Sequence, residues 1–546
     1  MENIREETEC LVIGTGIAGS VCALIAARSG LKVTIVTKRS DPSLANTSQA
    51  QGGIIYKGVN DNPELLKKDI LNAGRNINFI NAVDFLASKG PKIVKKILID
   101  ELKINFTHIS GSQEEDFDLT KEGGHSMKRI LYYKDQTGKI IEETLLNHLK
   151  KEPNIRIVTN STAIDLITLQ HHSSDTQVKY ALNDRCLGAY ILDNKTREVH
   201  TVLAQYTVLA TGGLGDIYLH STNEKGTVGD GMVMAKRAGA RLVNMEFVQF
   251  HPTTLYAPGG KRFLISEAVR GEGARLKNIQ GDLFMQKYNQ EFKDLAPRDE
   301  VTIAIWEELI RNKNEYVLLD LANYVKEDIK DRFPNIYAEC KKIGIDITKE
   351  NIPVVPSAHY FCGGINVDNC GRTTIDGLYA IGEVSCTGLH GANRLASTSL
   401  LEGLTWGFYG AKDITNRINS GETVKEKIMY TLFDWVPTGT IENEDPALIA
   451  QDWMSIKNTM WNYVGIVRTI PRLKRAIEDL RHMYLRIEDF YKGTIVSKDI
   501  ISLFHGVQSA IMVAEAALRN KRSIGCHYIQ TQPQAQTPSE TIAQNI

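Results

Sequence analysis

Uninterrupted apolar stretches are rare in this 546-residue chain. The longest, residues 10–27, is broken by three glycines and preceded by acidic residues. A secretory signal would begin with basic residues, and a membrane span would lack glycine-turn chemistry, so neither is expected. Cysteine is also sparse. The eight present are scattered, with no CxxC pair and no metal-ligand spacing. That argues against iron–sulfur and zinc sites, and for free thiols in a reducing, cytoplasmic setting with no bound metal. Nor is there an excess of either charge: 64 basic and 65 acidic residues give a net charge of −1. No overall field draws the chain to nucleic acid or to an anionic membrane. The length suits two to four domains and a sizeable core.

What is present begins with a nucleotide signature. Cys10-Leu11-Val12-Ile13 reads as a buried parallel strand and runs into Gly14-Thr15-Gly16-Ile17-Ala18-Gly19. The first glycine permits a tight turn, the second lets backbone approach a pyrophosphate, and the third lets the helix pack on the strand. A helix over 18–29 ends at Gly30, and 32–37 is the second strand, so strand, helix and strand follow in the required order. A pyrophosphate would sit on the free N–H groups at the helix N-terminus. One element is missing. At the end of the second strand an acidic residue normally holds the adenosine ribose, but here stand Thr37, Lys38 and Arg39. Either another group holds the ribose, or the two cations meet a 2′-phosphate.

Further along, 46–53 has loop composition, 62–110 reads as largely helical, 140–151 as helix and 155–158 as strand. Residues 178–210 read as strands ending at Thr211-Gly212-Gly213, followed by a helix over 229–242. From about 240 to 355 the pattern becomes mixed, as for an inserted domain; nucleotide-fold signals return at 365–415, and the chain is helical from about 424. Met460, Trp461, Tyr463, Val464 and Val467 recur at helical spacing, which predicts core. The tail 529–546 has a disordered composition.

Several polar clusters carry possible chemistry: Glu122 to Ser126, Gln249 to Thr253, Ser266 to Gly273, Ala296 to Asp299, and the run holding His359 and Arg394. Singly, each has an ordinary structural reading. A lone histidine is usually a satisfied structural residue, Asp299 suits a helix cap beside Pro297, and Glu272 suits a partner for Arg270. Cys362 suits a small buried side chain. Together they supply arginines, histidines, hydroxyls and a carboxylate, a set that fits a dicarboxylate bearing an amine. Arginine forks bind carboxylates, histidine donates to them and titrates near neutrality, and a carboxylate such as Glu122 faces an ammonium.

These motifs (GTGIAG, SQAQGGI, EGGHS, VLATGG, FVQFHPT, SEAVRGEGA, APRDEV, SAHYFCGGI, GLYAIGE and HGANRLASTSLLEG) resemble the succinate dehydrogenase and fumarate reductase flavoprotein superfamily. MWNYVGIVRT in the C-terminal helices is similar to its L-aspartate oxidase branch. The resemblance runs from about residue 8 to about 527. It implies an α/β architecture with a two-piece Rossmann-like FAD-binding domain (1–240 and 355–422), an inserted α+β capping domain (241–354) and a C-terminal helical domain (423–546). It implies FAD held by Gly14, Gly16, Ala18, Gly19, Lys38, Gln51, Gly52, Gly53, Glu383, Ser399 and Leu400. It places the substrate on Glu122, His251, Ser266, Glu267, His359 and Arg394, with Arg298 catalytic. His359 and Arg394 would clamp one carboxylate, His251 and Ser266 the other, and Glu122 would meet the amine. In related fumarate reductases the arginine at the position of Arg298 donates or accepts the proton. The implied reaction is oxidation of L-aspartate to iminoaspartate, with oxygen or fumarate as acceptor and functional coupling to quinolinate synthase. Membrane-bound relatives attach FAD through a histidine just before AQGG. Asn46 stands there, so non-covalent FAD is expected. Thr37-Lys38 fits the family pattern at the second strand, which weakens the 2′-phosphate reading. The alternative is a flavoprotein subunit of a fumarate reductase or succinate dehydrogenase-type complex; the bland reading is a flavin-binding protein without this catalysis.

Overall fold

The structure, a computed structural model, describes residues 4–109, 116–180, 184–257, 262–437, 439–443 and 445–530. The strand Ile4–Ile13 lies inside a sheet with neighbours on both edges, which is why its apolar half has no alternation. It pairs in parallel with Val33–Val36 on one side and Val199–Leu209 on the other, with Val12 opposite both Ile35 and Val208. Ile155–Val158 extends the sheet beyond Val33–Val36. Cys186–Asp193 and Ser161–Thr168 extend it the other way as an antiparallel meander. Leu378–Ala380, from far along the chain, joins in parallel on Val199–Leu209. The architecture is therefore α/β, with the late segment closing onto the early one.

That closure is made tight by small residues. The helix Ile17–Arg28 lies close on the first strand because a side chain at Gly19 would sit 2.1 Å from the Gly14 carbonyl oxygen. The helix Thr398–Asn419 crosses Ile17–Arg28 just as closely, since a Cβ at Gly407 would stand 2.6 Å from the Ala18 carbonyl oxygen. Contacts this short exclude any side chain.

The segment between these pieces forms an antiparallel sheet of Val248–Leu255, Ile352–Phe361, Val317–Asp320 and Arg275–Lys277. The helix Arg298–Asn312 packs on it through buried Val301, Ala304 and Ile305. After residue 445, the helices Pro446–Tyr463, Ile470–Gly493 and Lys498–Arg519 pack against the helix Asp230–Arg237 and the back of the main sheet.

Some expectations change in detail. The helical stretch expected over 62–110 is three pieces, Pro63–Ala73, Ile80–Ile93 and a π-helical Val94–Glu101, and helix ends there. Pro91 lacks the N–H that an α-helical ladder needs, and the widened turns follow it. The helix expected over 229–242 spans only Asp230–Arg237. Among the described residues of 424–445 there is one short helix, Glu426–Met429, rather than continuous helix. Ile529, expected in a disordered tail, pairs through Tyr528–Ile529 with Val467–Arg468, and 531–546 lie outside the described residues. Asp299 does not cap its helix, because Pro297 holds the cap position and Asp299 reaches sideways to Arg75 and Asn393. Glu272 pairs with Arg332 rather than Arg270. The helix Lys498–Arg519 is long and apolar enough to cross a membrane, a feature not expected from the sequence, but its apolar window is 72% buried inside the fold.

Candidate active site

Both nucleotide segments open onto one cleft, of about 1940 Å³ including its mouth. Its lining runs from the Gly14 turn to His251, Arg298 and His359, so a nucleotide-type end and a side-chain end share one opening. Its nucleotide end is built largely from backbone. Gly14 to Ala18 line it, and the helix Ile17–Arg28 starts there with no side-chain cap, leaving first-turn N–H groups to an anion. Ile17 N–H donates to Thr47 Oγ at 3.0 Å, which fixes the loop 46–49 over the turn. Gln51, Gly52 and Gly53 continue along the cleft, and Glu383, Ser399 and Leu400 enter from the late segment. Gly19 does not line the cleft, because it is used for helix-on-strand contact.

The acid missing from the second strand comes from elsewhere. Asp230, first residue of its helix, stands in the cleft and pairs with Lys38. Its other oxygen accepts from His505 Nδ1 at 3.0 Å. His505 Nε2 lies 3.1 Å from Arg237 Nη2, so a neutral ring donates from Nδ1 and accepts at Nε2. Lys38 holds Asp230 well below the usual carboxylate range, against the opposing pull of burial. The cation at the strand end is thus already neutralised, which favours the first of the two options above. Gln51 Oε1 and Thr211 Oγ are buried here without a hydrogen-bond partner, so a polar ligand has groups to satisfy. Uncapped N–H groups, glycine-lined backbone and orphaned polar atoms fit FAD.

At the other end, side chains converge from six segments. His251 comes from Val248–Leu255 and His359 from the adjacent Ile352–Phe361, with ring centroids 5.0 Å apart. Arg298 begins its helix there; its Nε donates to Glu267 Oε2 at 2.5 Å and its Nη1 to Gln249 Oε1 at 3.1 Å. Glu267 also accepts from Gly123 N at 2.8 Å, and Arg270 lies 3.8 Å away. Burial alone would raise the Glu267 pKa, but Arg298 and Arg270 bring it below normal. The structure places Glu267 beneath Arg298 as its partner, with Ser266, His251, Glu122 and Arg394 around the same space.

Glu122 is the opposite case. Burial, then repulsion from Glu267, raises its pKa. Ser397 Oγ donates to it at 2.6 Å, and Ser397 adopts a left-handed backbone with φ of 58° to do so. Such strain, about 1–3 kcal/mol, persists where surrounding contacts fix it. Arg394 lies over the Tyr360 ring, 4.4 Å from its centroid, and donates to Ser399 Oγ at 3.2 Å, while its Nε has no partner. Burial and the nearby Arg298 bring it down to about 10. Tyr360 is itself held by Glu402 Oε2 at 3.0 Å. Both histidines are pushed well below their usual pKa by burial, then by Arg298, so in the open cleft each is a neutral donor rather than a titrating group. Thr222 Oγ fixes His359 through Nδ1 at 2.8 Å.

Gln249 belongs to the polar cluster 249–253 but is given no role of its own by the sequence. Its amide holds Arg298 on one side and donates to the Asn393 side chain and the Arg394 carbonyl on the other, at 2.6 and 2.9 Å. The strand period was the signal, since Gln249 and His251 share one face of FVQFHPT. Thr222, Arg262 and Asp230 also line the cleft, and the sequence offered no comparable signal for them.

Residues 9–400 match the FAD binding domain family. An L-aspartate oxidase from Yersinia pestis is 40% identical over 539 residues, 98% of each chain. One from Halobacterium salinarum is 39% identical across 95% of this chain and 96% of its own. The chain belongs to the L-aspartate oxidase family. Its fold also matches the flavoprotein chain of E. coli quinol fumarate reductase, with a TM-score of 0.84 at 27% identity over 97% of this chain and 92% of that one. The L-aspartate oxidase relatives are thus closer in sequence than this fumarate reductase, over the same span.

Proposed function

We propose that the cleft oxidises L-aspartate to iminoaspartate with non-covalently held FAD, as the first step of de novo NAD biosynthesis. The observation that carries this reading is the meeting of Arg298, His251, His359, Arg394 and Glu122 in the cleft that the Gly14–Gly19 turn opens onto. FAD would be held by Gly14, Gly16, Ala18, Lys38, Gln51, Gly52, Gly53, Glu383, Ser399 and Leu400, with Gly19 shaping the turn. Bound there, FAD would supply the acceptor for the hydride from Cα of the amino acid.

The chain's own residues orient and charge the substrate. Arg394 and His359 grip one carboxylate, and His251 with Ser266 donates to the other. Glu122 accepts from the ammonium, and its raised pKa lets it take a proton as the C–N bond gains double-bond character. Arg298, fixed by Glu267 and Gln249, presents a permanent charge at the reacting carbon. Asn46, in the position of the covalent histidine of relatives, uses its side-chain oxygen to accept from Glu224 N at 2.8 Å and has no nucleophile to attach a flavin. In the proposed division, 1–240 and 355–422 hold the nucleotide, 241–354 caps it and 423–546 is the helical layer. Oxygen or fumarate would take the electrons, in the cytoplasm, and quinolinate synthase would consume the product.

The test is an anaerobic half-reaction of the holoprotein with L-aspartate and with succinate in parallel. Bleaching of flavin absorbance by aspartate is expected. Bleaching by succinate alone would overturn the reading in favour of a dehydrogenase-type subunit, which the fumarate reductase fold match supports. Acid precipitation separates the two further: free FAD in the supernatant is expected here, and a yellow pellet there.

A further inference from the structure

We propose that Arg262 is an additional substrate-binding residue, supplying a guanidinium to the substrate carboxylate distal to Arg394. The inference rests on the dicarboxylate reading above. In that reading one carboxylate meets a guanidinium, while the other meets only His251 and Ser266, both uncharged. An ionised carboxylate withdrawn from water needs a cation or a full set of donors. Arg298 and Arg270 cannot supply it freely, since both are engaged by Glu267.

Arg262 has the properties required. It lines the same cleft, four residues before Ser266. Its Nη1 is shielded from solvent and has no hydrogen-bond partner, and among the described residues no carboxylate pairs with it. Burial lowers its pKa, so an anion brought alongside would be stabilised. Three guanidiniums, Arg262, Arg298 and Arg394, line this end of the cleft, and of these only Arg298 makes an ion pair among the described residues.

The residue is also aimed. Its Nε donates to His220 Nδ1 at 3.4 Å, and its guanidinium lies 5.3 Å from the Tyr256 ring centroid. Burial, then Arg262 itself, brings His220 down to about 4, so the ring is neutral and its Nδ1 lone pair is free to accept. His220 is braced in turn by Trp461, edge to face at 4.6 Å, and its carbonyl accepts from Ala358 N at 2.9 Å, next to His359. Trp461 belongs to the MWNYVGIVRT segment, so the C-terminal helices reach the substrate end through Trp461, His220 and Arg262. His220 and Trp461 are positioning residues in this arrangement.

The test compares wild type, Arg262→Gln and Arg262→Lys as FAD-loaded full-length protein. For Arg262→Gln the KM for L-aspartate should rise about ten- to a hundredfold, with a smaller change in kcat and an unaltered FAD Kd. Arg262→Lys should recover part of the loss. Inhibition by succinate should weaken in the glutamine variant far more than inhibition by butyrate, which has one carboxylate. An unchanged KM in both variants overturns the proposal. So does a loss of FAD affinity and kcat in step with KM, which marks a structural role. Wild-type flavin that L-aspartate fails to reduce would instead defeat the proposed function, so the two failures are distinguishable.

Discussion

The two ends of the cleft handle charge in opposite ways. At the nucleotide end Lys38 is answered by Asp230, and Asp230 by the His505 N–H. At the substrate end Arg394 and Arg262 have no ion-pair partner among the described residues. A paired end is stable while empty and recognises its ligand through backbone and shape. An unpaired end holds one buried and one half-buried cation that an incoming anion relieves, so affinity for a doubly anionic molecule is stored in the empty protein.

Substitutions can break this contrast, and the largest effect is expected at Arg298. Arg298→Leu removes the charge proposed for the reacting carbon and takes from Glu267 its nearest cation, leaving Arg270 at 3.8 Å. The rate of anaerobic flavin reduction by aspartate should fall at least about a hundredfold, while the FAD absorbance spectrum of the purified protein persists. A near-normal rate would remove Arg298 from the chemistry. Next is Glu122→Gln, which should raise the KM for aspartate roughly tenfold or more and spare fumarate reduction; equal losses on both would argue against an amine contact. Its pH dependence sharpens the point. Glu122 titrates above the usual carboxylate range, and only its ionised form attracts an ammonium. Aspartate affinity should therefore decline as pH falls through that raised pKa, whereas succinate affinity should not, and the difference should vanish in the glutamine variant. The smallest effect belongs to the paired end. His505→Leu leaves Asp230 one donor short and should weaken FAD binding by about tenfold, read by flavin fluorescence titration, with the KM for aspartate at saturating FAD unchanged. A glutamine at 505 should restore most of the affinity.

The same contrast explains what could be read from the sequence. The nucleotide end rests on contiguous residues, strand, glycines and helix, whose order carries the geometry. The residues of the substrate end are visible as separate polar clusters, but their meeting and their individual roles are implied only by family resemblance, since 122, 251, 298, 359 and 394 share no local pattern. Gln249 was within reach from strand alternation. Arg262, His220 and Trp461 were not, because their relation is created by a C-terminal helix lying against a loop some 200 residues earlier. Trp461 read as core from helical spacing, yet one of its faces meets His220. Asp299 read as a helix cap, yet it ties Arg75 and Asn393 to the start of the Arg298 helix. A polar residue beside a proline shows that a turn is near and not what the side chain reaches.

The close crossing of Thr398–Asn419 over Ile17–Arg28 has a temporal consequence. Ser399 and Leu400 ride on the later helix, and the Leu378–Ala380 strand completes the sheet beside them. During synthesis the N-terminal turn emerges first but has no opposite wall until residues near 407 leave the ribosome. Cofactor capture is therefore a late event, and the nascent chain spends most of its elongation with that surface uncovered, a span in which chaperone engagement or free flavin supply would decide yield.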